Sequence, residues 1–403
     1  VKRKLDLGSK LGSYRDLPQL TSGLYLLISF IGRLPTSMNV IGVLTLVTVT
    51  TGSVANAAIV SAAQAIATGI GNPIIGRLTD KYGQKYPLLY IAPVSVLSLV
   101  GFVVAAILAA PLWLLAVLCA LIGLTTSPIG ALARIRWYSL SKTPPQLAAA
   151  LSFESTIDEM SFVLGPAAVG LMAALIHPAA PLVVTACIVV TCVVPFALSR
   201  FSVGASSSEE IANSPKMGYV MRKVIVPLGA MATLGMFFGA MQTSVTGYAN
   251  YTGEPGKGGI IYAALGLGSA LTALGAVMIP EKISQAKRII VAGIAIGFGA
   301  FLCSLAFSDW TLAFLMFING LAIGPASVAI FTLAGRLAPP GGSAVAVTAL
   351  GSMNVVGVSL SSTIAGTLLE IHLPYGFYVA AVSALLMTFV TLFTVKVKTS
   401  SET

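Results

Sequence analysis

The chain has 403 residues, of which 56% are hydrophobic and only 9% charged, and its mean hydropathy is +0.93. A soluble domain carries about 25% charged residues, so this composition excludes a water-soluble globule and requires lipid to cover the apolar excess. The formal net charge of +10 would suit nucleic acid as a partner, a reading that depends on where the charges sit.

In chain order, apolar runs predict twelve spanning helices at 20–49, 54–75, 86–109, 112–138, 147–175, 180–199, 224–250, 259–279, 289–307, 310–334, 344–369 and 375–395. At 1.5 Å per residue such runs cross a hydrocarbon core of about 30 Å. Only helices and closed barrels satisfy their backbone inside lipid, and these runs are too long for tilted strands. The expected fold is an all-α membrane protein. The basic start (Lys2, Arg3, Lys4, Lys10, Arg15) leads into an apolar run too long for the core of a signal peptide, so the first helix is expected to act as its own insertion signal.

With the N-terminus inside, every Lys and Arg except Lys257 and Arg33 falls in a segment facing the cytoplasm. That asymmetry places both termini in the cytoplasm of a cell in whose membrane the protein sits. It also accounts for the positive charge by topology, so nucleic acid is not expected as a partner. Cys119, Cys187, Cys192 and Cys303 lie within apolar runs and read as small buried hydrophobes. The segment Gly253–Gly259 looks like a phosphate loop but lacks the Ser/Thr after Lys257 and follows no strand. His177 and His372 lie in predicted external turns. No metal cluster, cofactor fingerprint or catalytic set is present in the pattern, and neither enzyme activity nor a cofactor is expected.

The Ser-rich, mixed-charge stretch after Arg200 predicts a linker at 201–222 between two halves, 1–200 and 223–403. The halves keep a short repeat. Gly123-Leu-Thr-Thr-Ser-Pro128 in helix four and Gly320-Leu-Ala-Ile-Gly-Pro325 in helix ten both read G-L-x-x-[SG]-P. Repeated halves are a common way to build secondary transporters, with the substrate site between them.

Ionisable groups at membrane depth are functional candidates. They are Arg33 in helix one, Glu154, Asp158 and Glu159 in helix five, and Arg134 and Arg136 near the cytoplasmic end of helix four, all in the first half. Helices four and five turn near Pro144, which sets Arg134 level with Glu154 and makes the two a candidate pair. Asp158 lies one turn beyond Glu154 on the same face, whereas Glu159 points elsewhere. Arg33, near mid-bilayer, is a candidate partner for Asp158 or Glu159. Two readings follow: structural ion pairs with snorkelling arginines, or carboxylates that take up and release a proton as a cavity opens. On the second reading Asp158, Glu154, Glu159, Arg33 and Arg134 form the proton-coupling set.

The stretch between helices two and three, Gly76-Arg-Leu-Thr-Asp80-Lys-Tyr-Gly-Gln-Lys85, resembles the loop motif G-x-x-x-D-[RK]-x-G-[RK]-[RK] of the major facilitator superfamily. Gly76, Asp80, Lys81, Gly83 and Lys85 match, and Gln84 departs where a base is usual. The resemblance implies twelve helices in two pseudo-symmetric six-helix bundles that alternate in access. It further implies a gating role for the motif, with Asp80 latching the halves by facing a helix N-terminus; the start of helix eleven, Pro339–Ser343, would suit. Gly165-Pro166, with Gly170 after it, is similar to the G-P-x-x-G-G element of the superfamily's drug:proton antiporter branch, although Ala168 and Val169 depart from it. The plainer alternative is an ordinary packing kink.

In this superfamily helices one, four, seven and ten line the site. The residues available there are Arg33, Asn39, Gln242, Tyr248 and Asn319 amid Met38, Met236, Phe237, Phe238 and Met241. Such a Met- and Phe-rich set suits a hydrophobic or amphipathic cargo. The expectation is a monomeric, proton-coupled exporter in contact with membrane lipid, its partners being protons and a small-molecule substrate. The alternatives are a proton-coupled importer or sugar/metabolite carrier, and a non-transporting membrane protein that binds lipid or a partner.

Overall fold

The computed structural model describes residues 7–204, 215–254, 257–280 and 282–399. Among them there is no strand, and twelve helical spans are long and apolar enough to cross a membrane: Gly23–Thr51, Asn56–Tyr82, Lys85–Ile107, Leu112–Leu140, Pro144–Leu175, Ala180–Leu198, Ile225–Tyr251, Lys257–Met278, Gln285–Cys303, Asp309–Leu337, Ser343–Ile371 and Pro374–Leu392. They are numbered one to twelve below. Each has one face in the interior and one that leaves Leu, Ile, Val and Phe exposed, as a lipid-facing helix requires.

The spans form two six-helix bundles. In the first, spans two and four pack together, three lies on four and six, and one lies on two and five. In the second, seven packs on eleven, eight on ten, and nine on twelve. The halves meet where span two crosses eleven and where span five crosses eight and ten. The sequence repeat has a packing explanation. A Cβ on Gly123 would strike the Gln64 carbonyl of span two, and one on Gly320 would strike the Leu265 carbonyl of span eight. The same glycine thus lets the same pair of helices touch in each half.

The repeat's proline acts differently in the two halves. Span four breaks at Thr126–Pro128, with Thr126 extended (φ −63°, ψ 116°), into helices Leu112–Thr125 and Ile129–Leu140. Span ten runs unbroken through Pro325. Span one also breaks, between Gly23–Ile31 and Leu34–Thr51, just before Pro35, whose missing N–H cannot continue the ladder. Both breaks open toward the same place, where Arg33 and Gly130 lie.

The expected boundaries need three corrections. The Gly76–Lys85 stretch is mostly helix, because span two continues to Tyr82, well past the expected end at 75. Only Gly83 (φ 73°) and Gln84 make the turn, and the left-handed φ is why a glycine is needed there. Charged residues mark where a span leaves lipid, and helices project beyond that point. Second, a helix over Leu7–Leu20 precedes span one. It is too polar to stand out as an apolar run, yet it buries Leu17. Its Tyr14 hydroxyl donates to the Leu274 carbonyl of span eight at 2.5 Å. Burial raises the Tyr14 pKa, which keeps that donor protonated. Third, within the expected linker 201–222, residues 205–214 lie outside the described residues, and Met217–Lys223 is helical.

Candidate functional site

Three helices bring the charges together. The break before Pro35 turns Arg33 into the first bundle, where its Nη1 donates to the Asp158 carboxylate at 2.9 Å and the Glu154 carbonyl at 3.1 Å. Its Nη2 bonds Ser29 Oγ at 3.2 Å and forms an ion pair with Glu154 Oε2. The other Glu154 oxygen accepts from the Trp137 indole at 2.6 Å. Arg134 Nη2 pairs with the second Asp158 oxygen at 2.7 Å and reaches Ser155 Oγ at 3.3 Å, while its Nη1 donates to the Gly130 carbonyl. A Cβ on Gly130 would press on Asp158 Oδ1, so that glycine makes room for the carboxylate.

The result is a chain Glu154–Arg33–Asp158–Arg134 of two acids and two bases. Taking such charges out of water costs several kcal/mol per ion, and only pairing and full hydrogen bonding offset it. Arg33 and Glu154 are 4% and 1% exposed, whereas the Asp158 side chain keeps 24% of its surface open to the cavity. Arg134 does not pair with Glu154 as their level positions suggested. Glu154 is rotated toward Trp137 and span one, and the rotation of a helix cannot be read from depth alone.

Glu159 stands apart. It is buried, and among the described residues it takes part in no ion pair. Its Oε1 accepts from Ser327 Oγ of span ten at 3.2 Å, across the boundary between the halves. Arg33 therefore meets Asp158 but not Glu159. Glu159 also borders two adjoining chambers of a cavity between the bundles, with about 970 and 870 Å³ of unfilled space including their mouths. Phe162 and Phe238 line both, with Thr36, Ser37 and Asn354.

Of the candidate substrate residues, Arg33 and Phe238 border the first chamber, and Phe238 and Gln242 the second. Phe237 and Met241 are buried in the core of the second bundle, and Met38 packs with Val169, Ile188 and Cys192 in the first. Tyr248 bonds Asp309 at 3.1 Å at the far end of span seven. Asn39 and Asn319 are buried and border neither chamber; Asn319 lies against Gly299. The sequence reading missed Asn72, Asn354, Phe162 and Tyr262. Spans two, five, eight and eleven supply these, beyond the expected one, four, seven and ten. Asn72 at mid-span was a visible signal: a buried amide among apolar residues, whose Oδ1 has no partner among the described residues.

At the other candidate site, Asp80 accepts from the backbone N–H groups of Ala344 (3.0 Å) and Val345 (3.1 Å), in the first turn of span eleven. This is the arrangement a helix N-terminus favours, an anion facing unpaired donors. A Cβ on Gly76 would collide with Thr348 and the Ala344 carbonyl, so Gly76 permits the approach. Lys81 and Lys85 lie over the rings of Tyr82 and Tyr86.

Gln84, where the motif departs, is 1% exposed. It accepts from Arg136 Nε at 2.6 Å and donates to the Leu132 carbonyl at 3.1 Å. Arg136 in turn bonds the Phe196 carbonyl at 2.9 Å and stacks on its ring, so a cation at position 84 would face a buried cation. In span five, Gly165 lets Ser37 and Met38 of span one approach, and Pro166 borders the second chamber. Gly170 has open space beside it.

No curated protein matches the chain significantly. Among solved structures, the human organic anion transporter MFSD10 (TETRAN) is similar, with a TM-score of 0.62 at 14% identity, covering 95% of this chain and 97% of that one. At that identity the likeness is one of fold. The family model described as Major Facilitator Superfamily matches residues 25–296, more than half of the sequence. Together with twelve spans and an interfacial cavity, that match places the chain in the major facilitator superfamily of membrane transporters.

Proposed function

We propose that the protein is a proton-coupled secondary transporter that exports hydrophobic or amphipathic molecules by alternating access. The moving bodies are the halves 1–200 and 223–403, joined by 201–222. The observation that carries the reading is Glu159: a buried acid at the boundary of the halves, with no cation paired to it among the described residues and its hydrogen bond made to the opposite half. Desolvation without a compensating charge favours the protonated form of a carboxyl, and exposure to water favours the ionised one. Opening and closing the cavity therefore exchanges a proton at Glu159. Glu154 and Asp158, each engaged by arginine, hold spans one, four and five in register instead.

The cargo follows from the walls. Phe162, Phe238, Tyr262 and Met231 offer apolar and aromatic faces, and Asn72 and Asn354 supply sparse hydrogen bonding. Once Glu159 has given up its proton, two arginines against three acids leave the cluster with a surplus negative charge, which favours a lipophilic cation over an anion. The organic anions named for the human structure would need Arg33 or Arg134, and both are already held by carboxylates. Few polar groups argue against a sugar.

The test uses proteoliposomes with an imposed pH gradient and a panel of lipophilic cations, organic anions and sugars. Wild type drives a lipophilic cation uphill against protons. The E159Q variant keeps downhill exchange and loses uphill movement. Uphill transport by E159Q, or transport of sugars alone, overturns the reading.

A further inference from the structure

One face of span ten meets the first half at three successive turns, through Ser327, Phe331 and Gly335, which share a face at i, i+4 and i+8. Ser327 bonds Glu159 of span five. Gly335 lies against the Tyr138 hydroxyl of span four, where a Cβ would collide with it. Between them, the guanidinium of Arg134 sits 3.7 Å from the centroid of the Phe331 ring. Arg134 is 1% exposed and has two claims on its charge: Asp158 Oδ2 at 2.7 Å inside its own half, and this ring from the other. A ring face attracts a cation by its quadrupole, and the attraction grows when the cation is desolvated and its counter-ion is withdrawn. Phe331 also borders the first chamber together with Arg134, Asp158 and Glu159, so the contact forms part of the cavity wall.

We propose that Phe331 is a positioning residue: its ring, acting through Arg134, makes closure of the halves answer to the Arg134–Asp158 pair. While Asp158 engages it, Arg134 divides its charge between carboxylate and ring. Where Asp158 no longer engages it, the ring becomes the principal partner and the halves are held more firmly. This rests on the reading of the two halves as bodies that separate, and it needs neither a particular cargo nor protons as the coupling ion.

The experiment measures the ratio of open to closed protein, without substrate, from spin-label distances across the Asp80 end in nanodiscs. F331L is expected to raise that ratio about five- to thirtyfold, the equivalent of a desolvated cation–π contact, and F331W to keep it near wild type. In a D158N background the effect of F331L grows; in an R134Q background it falls below about twofold. The two backgrounds change the network in opposite senses, so either one that folds decides the matter. Equal ratios for Phe, Leu and Trp, or a Leu effect unchanged in either background that folds, overturn the proposal and reduce Phe331 to packing. Because nothing is transported and no proton is counted, that result would leave the role of Glu159 standing. Loss of proton coupling would likewise leave this one standing.

Discussion

Replacing Asp80 with Asn tests whether the two halves are latched at their charged end. The carboxylate accepts two backbone N–H groups of span eleven, at 3.0 and 3.1 Å. An amide of the same shape can accept one of them with its oxygen, while its NH2 group confronts the other donor. The loss is thus one hydrogen bond to a charged acceptor, about 1.5–3 kcal/mol. Loss of the charge facing the helix N-terminus adds about 0.3–1 kcal/mol, part of which overlaps the first. Taking the hydrogen-bond term alone, the advantage of the closed end falls about 10- to 150-fold. The halves are otherwise untouched, so insertion and melting should stay near wild type. The assay places spin labels at Tyr82 and Pro340 in a background without the four native cysteines and reads the closed-distance fraction. A D80N protein with an unchanged distance distribution and wild-type transport would refute the latch and leave Asp80 as a residue that merely ends a span.

Three further outcomes follow from the packing. E154A strips Arg33 and the Trp137 indole of their shared partner inside a dry bundle; breaking a buried pair costs about 3–5 kcal/mol, and thermal unfolding in detergent should drop by roughly 6–20 °C, whereas a change within experimental error would show the pair to be idle. Q84K, which moves the turn toward the superfamily motif, places a second cation beside Arg136 and removes its 2.6 Å acceptor; its yield and melting temperature should fall well below wild type, and restoration by a further R136Q change would confirm the cause. F238A should weaken binding of a lipophilic cation about tenfold or more by removing an aromatic wall of both chambers, while Y248F, remote from them, should leave equilibrium binding unchanged; equal effects in a fluorescence titration would misplace the site.

The spans were legible because lipid imposes a simple rule, an unbroken apolar run of sufficient length, and the runs around Ile225–Tyr251 or Ser343–Ile371 obey it closely. The Asp80 contact was legible too, since Asp80 and the start of span eleven are each marked locally, by charge and by Pro339–Gly342. Side-chain direction was not. A helix apolar all round carries no stripe to fix its rotation, so Phe237 and Phe238, adjacent in sequence, could not be told apart: the first is core, and the second borders the cavity. The same ambiguity misaligned Arg134 with Glu154. The helix Leu7–Leu20 is hidden for the opposite reason, being too polar to form an apolar run. Asn72 and Asn354 are lone amides whose importance arises only when spans two and eleven are brought face to face.

The most direct measurement counts protons. Detergent-solubilised protein in weakly buffered solution is titrated with a lipophilic cation that it binds, and the pH change is recorded. The account predicts release of about one proton per molecule bound by wild type, none by E159Q, and release retained by Q242A, which alters the cavity wall but not the acid. Undiminished proton release from E159Q would contradict the assignment of Glu159 as the group through which protons and cargo exchange.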